Sequence, residues 1–327
     1  MKKILFLLTF STCLACEKED IANVSNQQVF EEMWQYIDEN YIYFEQKGVD
    51  WEAIRTDFTP QINEDLLPSV FREICFEMLN TLRDGHNRLT TPDFDENYPY
   101  EIGYDIHFDL SVIQKNYLNN DFQEMGFYTY GFVQNDLAYV HFSNFKRVLD
   151  IRAVMDFFHN QDIKGMIFDV RDNPGGDGQD AVEIVGHFIE EPTVVGYLVE
   201  KIGKAQDHVS KPLFLEAIPR SPFINVPLVL LTNRRSYSAS TYLTSELKDL
   251  PNVTLVGQIT GGGGGGNQTQ ELSNGWLLTV SSSKLLDVNF DESLEEGVIP
   301  DIVVENDSLT LVNGVDEMLE RAIEVFK

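Results

Sequence analysis

Basic residues are scarce in this 327-residue chain: 24 lysines and arginines stand against 53 aspartates and glutamates, a formal net charge of −29. With nothing to neutralise phosphate, that balance argues against nucleic acid or an anionic membrane surface as partner. Acidic surfaces are common on ordinary secreted proteins, so it does not select a substrate. Cysteine is rarer still, three in all, too few for a disulfide framework. The six histidines are scattered and no HExxH occurs, so no metal site is visible and no cofactor is expected. Long apolar runs are also missing: Ile4 to Phe10 is too short to cross a bilayer as a permanent helix. What is present, 43% hydrophobic and 12% aromatic residues, makes a globular chain large enough for one large domain or two smaller ones.

Lys2, Lys3, the run Ile4 to Phe10 and the ending Leu14-Ala15-Cys16 form an export signal. The ending resembles a bacterial lipoprotein signal, in which Cys16 becomes the lipidated first residue, although Cys13 is atypical there. A plain secretory peptide is the alternative. The acidic run Glu17-Lys18-Glu19-Asp20 resembles a lipoprotein surface-export tag. These features imply residues 1–16 as signal, 17–25 as tether, and a lipid-anchored protein of the bacterial cell envelope, periplasmic or surface-exposed. With Cys16 lipidated and Cys13 removed, Cys75 alone remains, inside an apolar helix pattern that reads as core.

Ser25 and Gln28 fit a capping box, and Phe30, Met33, Trp34, Ile37, Tyr41 and Phe44 then recur at helical spacing until Gly48. Asp50 caps a second helix stopped by Pro60, and a third spans about Ser69 to Arg83. Residues 26–92 therefore read as a helical module, followed by an α/β domain over 93–327. In that domain short strands are expected between Pro92 and Tyr130, including Tyr104 to Phe108. That piece is too short to hold an inserted domain of about 80–100 residues. Strands follow at Leu137 to Phe142, Met166 to Val170, Leu228 to Leu231, Val253 to Val256 and Trp276 to Ser282. Helices are expected at Val148 to His159, Gln179 to Ile189 and Val315 to Phe326.

Several loops could carry chemistry. The turn Asn173-Pro174-Gly175-Gly176-Asp177-Gly178 has the strand–glycine–helix layout of an anion-binding loop. It lacks the Lys-Ser/Thr ending of a phosphate loop and the GxGxxG spacing of a dinucleotide fold, which speaks against nucleotides. Ser238, between a buried strand and a helix start, suits a nucleophile and equally a plain N-cap. His86 follows Asp84-Gly85 on a loop, where Gly85 suits a helix C-terminal turn and Asp84 could orient the ring. The six glycines Gly261 to Gly266 are either a flexible loop or bare backbone for pairing with an extended peptide.

The ordered set DGH at 84–86, DVRDNPGG at 169–176, SYSAS at 236–240, VGQITGG at 256–262 and EEGVIPD at 295–301 resembles the tail-specific, C-terminal processing serine peptidase family, which includes the tricorn core and a retinoid-binding relative. The resemblance implies a mixed α/β (α+β) core of the Clp-protease/crotonase type with an N-terminal helical module, acting on peptides or unfolded proteins. It implies Ser238 as nucleophile, and Ala239 with Gly175 or Gly176 as oxyanion-binding amides. The usual glutamate is Thr241 here, and the lysine of the Ser/Lys branch is Gly263. The tricorn-like branch instead pairs a histidine near the DGH turn with a glutamate before the G-V-x-P-D turn. Here these are His86 and Glu295 or Glu296. Lys201, Lys204 and Lys284 are substitutes for the lost lysine or, by default, surface charges. The relative that binds rather than cleaves supplies an alternative: a peptide or hydrophobic ligand held in the same groove. Oligomeric state is not legible.

Overall fold

The computed structural model describes residues 24–134, 136–146 and 151–327. The leader with Cys16, most of the tether, and the start of the helix expected from Val148 lie outside the described residues. The architecture is mixed α/β. Its centre is a seven-stranded sheet in the order Ile302–Val303, Val253–Gly257, Leu228–Thr232, Gly165–Asp169, Leu137–Phe142, Tyr128–Val133 and Phe122–Met125. The first five are mutually parallel and the last two antiparallel.

The continuous apolar runs are explained by burial on both faces. Along Leu228–Thr232, Leu228 and Leu230 join the core under the helices Ile151–His159, Gly178–Val185 and Ala239–Lys248. Val229 and Leu231 point the other way, into a core with Leu110–Asn116 and Glu317–Glu324. Successive side chains of a strand alternate faces, so a strand wedged between two helix layers must be apolar at every position. Beyond this strand's neighbour, Arg171 is fully buried between Asp169 and Asp316: its Nη1 donates to both Asp316 oxygens at 2.9 Å and its Nη2 to Asp169 Oδ2 at 2.6 Å. That bridge ties the strand end preceding the glycine turn to the closing helix.

The amino-terminal part departs from its apolar pattern in one place. A single helix to Gly48 is expected, but the helix Asn26–Asn40 ends at Tyr41 and a separate turn of helix, Phe44–Lys47, follows. Tyr41 is extended, and the Ile42 N–H donates to the Ser281 carbonyl at 3.1 Å. The rings of Tyr41, Tyr43, Phe44 and Trp51 pack on one another there, so tertiary contacts override helical periodicity. Ser25 Oγ and Asp50 Oδ1 cap their helices as expected. The third helix is Pro68–Asn80.

The module packs on a four-stranded antiparallel sheet in the order Asn267–Glu271, Leu277–Ser281, Arg88–Thr91 and Phe94–Asn97. The division expected at residue 92 falls between two paired strands of this sheet, and the module's core includes Leu272, Leu278 and Val280 from far along the chain. A three-stranded sheet, Ser283–Leu286, Thr193–Glu200 and Leu213–Ala217, completes the fold. Residues 104–108, expected as a strand, form none. Their backbone is met by side-chain amides instead: Gln258 Nε2 donates to the Asp105 carbonyl and Asn306 Nδ2 to that of His107.

Candidate active site

Two neighbouring parallel strands, Gly165–Asp169 and Leu228–Thr232, end on the same side of the sheet and deliver the loops at 170–177 and 233–238 together. Short polar side chains bind the loops to each other. Ser236 Oγ donates to the Val170 carbonyl (2.7 Å), Asn233 Nδ2 to Asp172 Oδ1 (2.7 Å), and both the Tyr237 N–H and Ser240 Oγ to the Asn173 carbonyl. The chain then takes a left-handed bend at Ser238, φ 55°. A side chain at positive φ is strained, and such strain persists where the surroundings over-determine it. Here the Ser238 N–H donates to the Gly262 carbonyl (2.9 Å) and Thr241 Oγ1 donates to the same carbonyl (2.8 Å). Thr241 thereby fixes the bend from inside the helix Ala239–Lys248. Ser238 occupies the N-cap position, yet its hydroxyl caps nothing. It lies 3.0 Å from His86 Nε2.

His86 is held from three directions. Its N–H donates to Asp84 Oδ1 (2.8 Å), Asn97 Nδ2 donates to the preceding Gly85 carbonyl (2.8 Å), and its ring lies 5.0 Å from that of Tyr237, which stacks at 3.9 Å on Tyr100. The left-handed residue that turns the chain here is Arg83, φ 49°, not Gly85. Gly85 is needed for space: a Cβ there would lie 2.7 Å from both Tyr100 Cδ1 and Tyr237 Oη. Burial holds the His86 imidazole below its ordinary pKa; Asp84 acts in the opposite sense, and Lys47 adds to the lowering. The ring is therefore neutral at pH 7, with an acceptor nitrogen available to a hydroxyl.

Glu295 and Glu296 part company. Glu296 is exposed, whereas Glu295 is buried. Glu295 Oε1 accepts from Lys47 Nζ at 2.7 Å and Oε2 from the Gly264 N–H at 2.9 Å. Burial and the nearby Asp84 charge push its carboxyl pKa up, while Lys47 and the Gly264 amide pull it back. Neither glutamate hydrogen-bonds His86, whose Nδ1 is buried without a protein partner among the described residues.

The two candidate amides of the glycine turn also separate. The Gly175 N–H is already donated to Asn173 Oδ1 (2.9 Å), so Gly175 is not an oxyanion donor. The amides of Gly176 and Ala239 have no protein acceptor among the described residues. Gly175 instead supplies room at φ 90°, where a Cβ would sit 2.5 Å from the Tyr237 carbonyl oxygen and 2.8 Å from Ser238 Cβ.

Gly261 to Gly265 are buried, against both a flexible loop and an open edge for an incoming strand. Their bare backbone lies against Tyr237, Glu295 and Ser283, with atoms as near as 2.6 Å to a Cβ placed at Gly263. Lys204 pairs with Glu39 and Lys284 with Glu292, while Lys201 donates to the Ala205 carbonyl; none bonds Ser238. Lys47, which lies in none of the motifs, brings an ammonium to the site. Beside Ser238 and His86 a cavity of about 440 Å³ runs along Asn97, Thr279 and Asn267 of the four-stranded sheet.

A model described as peptidase family S41 matches residues 136–304, and one described as the tricorn protease C1 domain matches 23–80. A carboxyl-terminal-processing protease of Synechocystis is 30% identical over 171 residues, covering 52% of this chain and 38% of its own length. The chain spans about a third of the length of the curated relatives it matches. A crystal structure of a protein classed as a peptidase from Parabacteroides merdae superposes with TM-score 0.87 at 31% identity, over 93% of this chain and 97% of that one. The tricorn protease superposes with TM-score 0.61 at 15% identity, over 92% of this chain and 36% of that one, a likeness of fold.

Proposed function

Because the chain belongs to peptidase family S41, we propose that it hydrolyses peptide bonds with Ser238 as nucleophile and His86 as general base. The observation that carries this reading is the 3.0 Å separation of Ser238 Oγ and His86 Nε2, within reach for direct proton transfer. Neutral His86 takes the hydroxyl proton as Oγ bonds to the peptide carbonyl carbon. The resulting oxyanion faces the amides of Gly176 and Ala239, donors already in place before charge develops. His86 Nε2 then gives its proton to the departing amine, leaving an acyl-serine that water cleaves by the same route. Asp84 supports the imidazolium by its charge and by holding the residue's backbone. Glu295 belongs to the same buried cluster and acts through Lys47, without a bond to the ring.

The substrate class is an extended peptide or unfolded polypeptide segment outside the cytoplasm, threaded along the cavity beside the four-stranded sheet. Preference for free carboxyl termini is not part of the proposal, because only the short helix Leu110–Asn116 lies between Asn97 and Phe122. Lipid attachment at Cys16 would place the enzyme in the cell envelope; Cys16→Ser should move it from the membrane to the soluble fraction. The alternative of a binding protein finds no support in a serine and histidine poised at 3.0 Å. Ser238→Ala tests the reading: hydrolysis of an unstructured peptide should fall by about 10³-fold or more, and an unchanged rate would refute it.

A further inference from the structure

Lys47 comes from the helical lead-in, 248 residues before Glu295 in the chain, yet its ammonium is inside the site. Only 11% of its side chain is accessible. An ammonium has three N–H donors. One donates to Glu295 Oε1 at 2.7 Å and one to the Arg83 carbonyl at 3.0 Å, while Asp84 Oδ2 lies 3.9 Å away as an ion-pair partner without a hydrogen bond. Arg83 and Asp84 are the residues that turn the chain into His86. Nζ lies over the Tyr43 ring, 5.6 Å from its centroid.

We propose that Lys47 is a positioning residue for His86: it holds the 83–86 turn and the two buried acids in one arrangement, so that the lead-in is part of the catalytic centre. The inference rests on the peptidase reading given above. Asp84 and Glu295 act on the phenols of Tyr41, Tyr43, Tyr237 and Tyr242, which are all held above their ordinary pKa by burial first, with the acids adding to it; at Tyr242 a hydrogen bond with Ser238 opposes the rise. Among the described residues, Lys47 is the one lysine or arginine paired with either acid. Without it, like charges in a poorly solvated space would take up a proton, and the Arg83 carbonyl would lose its donor. Lys47 also lowers the pKa of both His86 and Glu295, so its loss raises both.

Lys47→Gln, which keeps an N–H donor and removes the charge, should lower kcat by about 10²-fold with a small change in KM. The acid limb of its pH–rate profile should move up by about one pH unit. Lys47→Arg retains the charge with a different shape, so its limb should stay in place while kcat falls about tenfold. A purely structural role would lower melting temperature and activity together and leave the limb of the folded fraction where it was. A folded Lys47→Gln with wild-type limb and kcat overturns the inference. Should that variant not fold, Lys47→Arg decides: a displaced limb or wild-type kcat overturns it. Measured alongside, Ser238→Ala separates the two claims, since an active Ser238→Ala would overturn the peptidase reading instead.

Discussion

Gly175→Ala should lower activity about 10²-fold although it replaces no catalytic side chain. At φ 90° the backbone is one that L side chains adopt at a cost of about 1–3 kcal/mol. The new methyl would meet the Tyr237 carbonyl oxygen at 2.5 Å, the Ala239 nitrogen at 2.8 Å and Ser238 Cβ at 2.8 Å. An ordinary contact begins near 3.4 Å, so the shortfall is between about 0.6 and 0.9 Å. All three atoms belong to the nucleophile bend, and none is the free end of a side chain that could swing away. Relief requires the bend to move by most of that distance, and a displacement near 1 Å at a reacting centre lowers the rate about 10²-fold, or about 2.7 kcal/mol of barrier. The assay is kcat and KM on an unstructured peptide, with melting curves in parallel. Gly275→Ala is the control, because Gly275 has φ 83° and nothing within 4 Å of a Cβ. It should lose stability and keep kcat. If Gly175→Ala kept kcat within threefold of wild type, the packing argument would be wrong.

The acid limb of hydrolysis should be centred below the ordinary histidine pKa of about 6.5, since burial lowers the pKa of His86, the proposed base; a limb centred above pH 7 would contradict this. His86, His141 and His187 are all lowered by burial, so the unfolded chain binds more protons below its ordinary histidine pKa. Their contribution to stability is therefore full above about pH 6.5 and lost as pH falls toward the depressed folded values, while the raised carboxyls of buried Glu246 and Glu295 contribute in the opposite sense. Urea midpoints of wild type and His187→Gln at pH 7.5 and 5.5 test the sign: the wild type should lose more on acidification than the variant. Asp316→Ala leaves Arg171 buried with one acid where it had two, and should destabilise by about 3–5 kcal/mol. A denaturation midpoint within error of wild type would show that the bridge contributes nothing.

The central sheet was legible because doubly buried strands must be apolar throughout, and Leu137–Phe142 and Leu228–Thr232 have that composition. The break at Tyr41 was not, since it depends on a hydrogen bond to Ser281, 239 positions away from Ile42. At the site, motif order brought Ser238, His86 and Glu295 under suspicion, and the fold sets the first two at 3.0 Å. Sequence could not show that the Gly175 amide is taken by Asn173 Oδ1, because that bond closes within two residues of a loop whose shape is imposed from outside. Nor could it find Lys47. Its helix is four residues long, and its partners lie 36 to 248 positions away. The one available signal was a lysine beside an aromatic cluster in a chain poor in cations.

The glycine at 263 also constrains how this chain could change over evolutionary time. A Cβ at that position would lie 2.6 Å from Tyr237 Cζ, with the backbone at φ 74°. Any lysine arising there by a single substitution would collide with the ring that borders His86 and would strain its own main chain. On the proposed reading of His86 as base, a descendant could exchange histidine for lysine chemistry only by shrinking Tyr237 in the same step or earlier, and the earlier loss would remove the ring packed beside His86. The packing at Gly263 thus obstructs that exchange.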